Sequence, residues 1–153
     1  MSENTKLRLG VDTFIDDFQK DHSKLNALFV SFRKAIQVSN RKKAKEILCE
    51  INDIIEGHFN FEETYLYPRL RRLVSEITTN LQNGQETMWE FVSKSRNFLE
   101  DSKASKDKLN SLLGMLPGLS GLLSQCNDLL PLAKRFNEED RIDLDKRFKE
   151  CRK

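Results

Sequence analysis

Candidate metal-ligating residues lie at positions 58–68, in the segment HFNFEETYLYP. On a helix, His58 and Glu62 are one turn apart, so both side chains leave the same face and can reach one ion. The aromatic residues around this pair predict a dry environment, and Pro68 is expected to end or kink the helix. The segment therefore predicts either a metal-ligand pair or a core histidine that hydrogen-bonds to its own glutamate.

The second histidine of the chain strengthens the metal interpretation. The sequence holds two histidines, and His22 shares a helical face with Phe18, Leu25 and Phe29. Both histidines are therefore expected to point into a core. Two imidazoles and the Glu62 carboxylate form a ligand set that suits iron, manganese or zinc.

Helical periodicity organises most of the chain. Residues 1–10 are expected to form a flexible leader, followed by a single helical domain over residues 11–153. Ser39 and Asn40 predict a turn between the first two helices, and Pro117-Gly118 predicts a break in the second half. The predicted helices are Val11 to Gln37, Arg41 to Tyr67, Gln85 to Asp101, and Leu119 to Asn137 with an extension towards Phe148 and a kink at Pro131.

Composition excludes several classes of protein. Charged residues make up 33% of the chain while Gly and Pro are few, which favours a helical bundle with charged outer faces. A net charge of +2 with scattered basic residues argues against a nucleic-acid partner. Three cysteines at no paired spacing argue against a disulfide framework. The sequence has no long apolar run, so neither a membrane span nor a signal segment is predicted. These features predict a cytoplasmic protein.

The motifs of the first half resemble a known family. The patterns Asp21-His22-x-x-Leu25, His58-Phe-x-x-Glu62-Glu63 and Tyr67-Pro68 are similar to those of the hemerythrin-like domain, also called the HHE cation-binding domain, over residues 11–75. The resemblance implies an all-α fold, an antiparallel up-down four-helix bundle. It also implies a non-haem di-iron centre that binds oxygen or senses oxygen, nitric oxide or iron.

The second half departs from the family pattern. The resemblance implies a histidine pair four residues apart on the third helix and a His-x-x-x-carboxylate motif on the fourth. Here Glu86 and Glu90, aligned through Trp89, are expected at the positions of the pair, while Arg135 replaces the histidine of the fourth helix and Glu139 keeps its carboxylate. Arginine has no lone pair for a metal, so Arg135 cannot be a ligand.

Three interpretations of the core follow. The favoured one is a single ion, iron before manganese or zinc, on His22, His58, Glu62 and Glu139. In this interpretation Arg135 occupies the vacant second site and pairs with Glu86, Glu90 or Glu139. The second is a carboxylate-rich two-ion site that includes Glu86 and Glu90 and supports oxidase or peroxide chemistry. The third is a metal-free bundle that acts as a structural or interaction module.

Function beyond metal binding rests on what the sequence lacks. It contains no activated nucleophile, phosphate loop or cofactor fingerprint, so binding or sensing of a small ligand such as O2 or NO is favoured over an enzyme. A leucine-rich run at positions 109–123 is expected to form either core or the surface of a homodimer.

Overall fold

The computed structural model describes residues 3–72, 75–101, 103 and 105–151, and almost all of them are helical. Within these described residues, six α-helices follow one another, with a π-helical turn at Glu62–Leu66 between the second and third and a 3-10 turn at Leu130–Arg135 between the last two. The helices are α1 (Glu3–Gln37), α2 (Arg41–Phe61), α3 (Tyr67–Leu70), α4 (Ser75–Glu100), α5 (Lys106–Leu129) and α6 (Glu138–Cys151).

The first half of the chain follows the predicted pattern closely. Ser39 has a positive φ of 58°, which reverses the chain between α1 and α2. The side chain of Asn40 then caps α2 by accepting a hydrogen bond from the backbone N–H of Lys43. One difference lies at the start, where α1 begins at Glu3, before the predicted start at Val11, and so includes residues 3–10 of the segment expected to be a leader. Residues 1 and 2 lie outside the described part of the chain.

The four long helices form a closed ring of neighbours. Helix α1 packs against α2, α2 against α4, α4 against α5, and α5 against α1. Short connections join α1 to α2 and α4 to α5, so these neighbours run antiparallel. The predicted all-α, up-down bundle is confirmed, and α6 packs beside it on α1 and α2. None of the described helices is long and apolar enough to cross a membrane.

The predicted start of the third helix is wrong. Helix α4 begins at Ser75, so the polar stretch around Gly84 is helical. Leu81, Gln85 and Met88 are buried at helical spacing in this region, and their burial outweighs the turn preference of the intervening letters. Gly84 allows close packing, because a Cβ there would lie 2.6 Å from Cδ2 of Leu122 on α5.

The predicted break at Pro117-Gly118 is also wrong, because α5 continues through both residues. A proline inside a helix removes one N–H donor and leaves the carbonyl four residues earlier without its helical partner. That carbonyl belongs to Leu113, and the guanidinium of Arg33 on α1 donates to it at 3.4 Å. A neighbouring helix therefore supplies the hydrogen bond that Pro117 removes.

The chain leaves the fourth bundle helix earlier than predicted. Helix α5 ends at Leu129, and the turn that contains Pro131 is 3-10. Asn137 then caps α6, its side-chain oxygen accepting from the N–H of Asp140 at 2.8 Å. Arg135 and Glu139 thus belong to separate short elements after the fourth bundle helix.

A polar layer divides the core between two apolar clusters. On α1, His22 lies between Phe18 of one cluster and Leu25 of the other. On α4, Gln85 lies in the same way between Leu81 and Met88. Helix α2 contributes His58 to this layer, and Cys126 borders it from α5. Every helix of the ring therefore brings a polar group to the same level of the bundle.

Candidate metal centre

The two histidines meet in the polar layer. His22 is 1% exposed and His58 is 2% exposed, and their Nε2 atoms are 3.0 Å apart. Phe18, one turn before His22, stacks on the ring of His58 with the centroids 3.8 Å apart. The predicted inward orientation of both histidines is therefore confirmed.

Glu62 completes the group one turn after His58. Its side chain is 3% exposed, and Oε1 lies 2.8 Å from Nε2 of His58. Its other oxygen, Oε2, accepts hydrogen bonds from the amide of Gln85 at 2.5 Å and from the hydroxyl of Tyr67. The carboxylate is thus held on one side, while its Oε1 faces the imidazoles.

The π-helical turn explains how Tyr67 reaches Glu62. Pro68 has no N–H, and its ring would clash with the carbonyl of Thr64 in a regular α-helix. The backbone instead widens by one residue, so that the N–H of Tyr67 bonds to the carbonyl of Glu62, five residues earlier. Residues five apart share a face in a π-turn but not in an α-helix. The kink predicted at Pro68 is therefore a π-turn, and it turns Tyr67 into a partner of the carboxylate.

The outer nitrogens of both imidazoles have partners of their own. Nδ1 of His22 donates to the side-chain oxygen of Asn127 on α5 at 2.6 Å, since an amide oxygen only accepts. Nδ1 of His58 lies 3.5 Å from Oδ2 of Asp21. These contacts direct the Nε2 lone pair of His22 into the site. Outer partners of this kind orient the histidine ligands of metal sites.

Burial and charge act in opposite directions on the ionisable groups. Burial and, after it, the nearby imidazole of His58 lower the pKa of His22 to about 4. Burial also opposes the charge of His58, but the carboxylates of Glu62 and Asp21 outweigh it and raise the pKa. For Glu62, the imidazole of His58 and the donors Tyr67 and Gln85 outweigh burial and lower the pKa. The site therefore keeps a carboxylate ionised in the core.

Cys126 is the fourth group with a donor atom at this level. Its Sγ lies 3.9 Å from Oε1 of Glu62, and burial raises the pKa of the thiol. His22, Glu62 and Cys126 each offer one ligand atom, and these three atoms lie within 4.8 Å of one another. A cavity of about 30 Å³ adjoins them, which is room for one or two water-sized groups.

The donor atoms fit a metal ion. Ligand atoms bound to one ion at about 2.0–2.3 Å lie roughly 3–4 Å apart. The separations of His58 Nε2 from His22 Nε2 (3.0 Å) and from Glu62 Oε1 (2.8 Å) are close to this range. The arrangement can thus hold a cation through nitrogen and oxygen, with sulfur nearby.

The remaining acids predicted as ligands do not join this group. Glu86 and Glu90 are exposed on α4, and Glu90 pairs with Lys94 at 2.8 Å. Trp89, which had set their alignment, is 38% exposed, and its ring meets that of Phe59 edge-on. Successive residues of a helix point about 100° apart. Glu86 therefore faces solvent although its neighbour Gln85 is buried.

The alignment of Arg135 and Glu139 with the fourth helix fails for a different reason. Both residues are exposed, and both follow the end of α5. The level that faces His22 and His58 is reached on α5 by Cys126 and Asn127. The predicted pairing of Arg135 with acids in the core therefore has no counterpart in the structure.

Some residues of the site were not predicted from the sequence, and they differ in how strong a sequence signal they have. Gln85 follows Leu81 by four residues and precedes Met88 and Val92 by three and seven, a periodicity that marks the buried face of α4. Cys126 and Asn127 had no such signal, because their register depends on where α5 packs. Tyr67, one of the aromatic residues expected to surround the pair, is buried, but its contact with Glu62 depends on the π-turn.

Fold and site together define a helical bundle with buried metal-ligating groups at one level of its core. The family model of the hemerythrin HHE cation binding domain matches residues 13–116. The chain therefore belongs to the hemerythrin HHE cation-binding family, as its motifs predicted. Searches of curated proteins and of solved structures found no significant match.

Proposed function

We propose that this protein binds a single non-haem metal ion, with iron favoured, on His22, His58 and Glu62. The observation that carries the proposal is that Nε2 of His58 lies 3.0 Å from Nε2 of His22 and 2.8 Å from Oε1 of Glu62 in a buried layer. Burying two imidazoles and a carboxylate is costly unless they are paired or bind an ion. Membership of a cation-binding family supports the same reading.

A small diatomic ligand such as O2 or NO is the proposed partner of this centre. An ion that prefers six ligands and receives fewer from the protein keeps positions open for exchangeable ligands. The cavity of about 30 Å³ beside Glu62 matches a ligand of this size, and Phe59 and Met88 form apolar parts of its wall. Phe59, the residue after His58, would restrict access of the ligand to the site.

A metal-free structural role is the second candidate. The observation in its favour is that hydrogen bonds alone can connect the group, since His58 can donate from Nε2 to Glu62 while Asn127 and Gln85 hold the outer atoms. The two-ion interpretation is not proposed, because Glu86 and Glu90, on which it depended, are exposed.

Metal content separates these candidates. Protein expressed with iron available, analysed for metal by elemental analysis, is expected to hold about one ion per chain, and His58→Ala is expected to lose it because a ligand pair is broken. Glu90→Ala is the matched control, since it changes an exposed acid and should keep the ion. Absence of bound metal after loading with iron, zinc or manganese would exclude the metal proposal and leave the structural role.

A further inference from the structure

Cys126 is a buried core residue whose sulfur atom is able to bind a metal ion. It lies on the fourth helix of the ring, one turn after the apolar Leu123 and one turn before Leu130. Small buried cysteines often act as simple hydrophobes. This one, however, directs its sulfur towards Oε1 of Glu62, on the side of the carboxylate that faces the imidazoles.

Geometry makes the sulfur a member of the same group of donors. The ligand atoms of His22, Glu62 and Cys126 lie within 4.8 Å of one another, and all three residues are buried. Sulfur binds such ions at about 2.3 Å, slightly farther than nitrogen or oxygen. The 3.9 Å between Sγ and Oε1 is a separation that two ligands of one ion can have.

Two amide side chains lie at the same level as the histidines and Glu62. From α4, the side-chain nitrogen of Gln85 donates to Oε2 of Glu62, while its side-chain oxygen is buried without a hydrogen-bond partner. Asn127, beside Cys126 on α5, is bound to the outer nitrogen of His22. The thiol of Cys126, by contrast, donates to Oε1, the oxygen of Glu62 that also faces His58, so its sulfur lies on the side of the carboxylate where an ion would bind.

We propose that Cys126 is a ligand of the bound ion, so that the centre is a two-histidine, one-glutamate, one-thiolate site. This inference rests on the proposed metal-binding function and adds to it the identity of a ligand and the class of ion. On binding, the S–H bond breaks, its proton leaves to solvent, and the sulfur donates an electron pair to the ion, with no change of oxidation state.

A thiolate ligand changes which ions the site prefers. Sulfur favours borderline and soft ions such as Zn²⁺, Co²⁺ and Fe²⁺, whereas Mn²⁺ and Mg²⁺ prefer oxygen. The site should therefore bind Zn²⁺ and Co²⁺ more tightly than Mn²⁺. A site of histidines and carboxylate alone would discriminate less.

Titration of the metal-free protein with Co²⁺ tests the proposal directly, because a Co²⁺–thiolate bond gives a charge-transfer band in the near ultraviolet that imidazole and carboxylate ligands do not give. Wild type is expected to show the band. Cys126→Ser and Cys126→Ala should lack it and bind Co²⁺ at least about tenfold more weakly, since loss of outer partners alone costs that much. Cys49→Ser is the matched control, because Cys49 is exposed and its loss should leave the band intact.

The outcomes separate this inference from the proposed function. Co²⁺ binding by wild type without the band, or with the same spectrum in Cys126→Ser, would overturn Cys126 as a ligand and leave the metal site on His22, His58 and Glu62. Failure of wild type to bind Co²⁺ would overturn both. Circular dichroism of the two Cys126 variants checks that each remains helical.

Discussion

The two oxygens of Glu62 face different partners. Oε2 accepts from Tyr67 and Gln85, while Oε1 faces His58 and Cys126. The first pair of contacts orients the carboxylate and the second marks the side where an ion would bind. Because hydrogen bonds to a carboxylate stabilise its charged form, Tyr67 and Gln85 also keep the pKa of Glu62 low.

Tyr67→Phe tests this division of roles. Removing the hydroxyl leaves a buried carboxylate oxygen with one donor fewer, so the free energy of unfolding of the metal-free protein should fall by about 1–3 kcal/mol. Metal affinity should fall by about 10–100-fold while the stoichiometry stays the same, because an orienting partner is lost and no ligand is. Urea unfolding and competition with a metal indicator measure the two effects.

Tyr65→Phe provides the matched control for this experiment. Tyr65 lies two residues earlier in the same π-turn, where its ring packs against Phe61 and the guanidinium of Arg147. Its hydroxyl is not among the groups that contact Glu62. Equal effects of the two substitutions on metal affinity would show that Tyr67 does not position the carboxylate.

At the scale of elements, one glycine allows α4 and α5 to pack closely together. Gly84 lies against Leu122, which lines the cavity beside Cys126. The glycines of α5 are different, because a Cβ at Gly114, Gly118 or Gly121 would meet nothing within 4 Å. Glycine thus has a packing role at one position and only a conformational cost at the others.

Alanine substitutions should therefore have opposite effects. Gly118→Ala is expected to raise the free energy of unfolding by about 0.5–1 kcal/mol, since alanine favours the helix. Gly84→Ala gains the same preference, but its methyl group would displace Leu122, and overpacking costs about 1–3 kcal/mol. Thermal and urea unfolding should show a stabilised Gly118→Ala and a Gly84→Ala that is destabilised by up to about 2 kcal/mol. Equal stabilisation of both variants would contradict the close approach of α4 and α5.

At the scale of the whole molecule, α6 packs beside the candidate metal centre although it lies beyond the residues matched by the family model. Phe148 is fully buried against the rings of Phe18 and Phe61, with centroids 5.7 and 5.0 Å away. The start of α6 is tied to α3 by Arg69, which pairs with Asp140 and Asp143. The two ends of the chain therefore share one core.

Phe148→Ala tests whether α6 is part of the cooperative unit. Removing a fully buried phenylalanine should lower the free energy of unfolding by about 3–5 kcal/mol. Ile142→Ala, at a position on the same helix that is 43% exposed, should change it by less than about 0.5 kcal/mol. Urea unfolding monitored by circular dichroism distinguishes the two. A loss below about 1 kcal/mol for Phe148→Ala would mean that α6 is not integrated with the bundle.

From the sequence alone we could predict the first two helices, the shared face of His58 and Glu62, and the inward direction of His22. Spacing along one helix follows from 3.6 residues per turn, so His58 and Glu62 had to share a face. The apolar residues around His22 fixed its inward direction in the same way. These features depend on neighbours within a few positions of one another.

The residues that α4 and α5 bring to the site depend on tertiary packing and could not be predicted from the sequence. Gly84 and Pro117 are turn signals locally, yet both lie within helices, because α4 packs closely on α5 and because Arg33 bonds to the carbonyl that Pro117 frees. Gln85 rather than Glu86 faces the site, and Cys126 rather than Glu139. Both outcomes depend on how distant helices pack and where α5 ends. The physical reason is that such contacts join residues far apart in the chain, and local propensities of about 1 kcal/mol yield to the burial of a helix face.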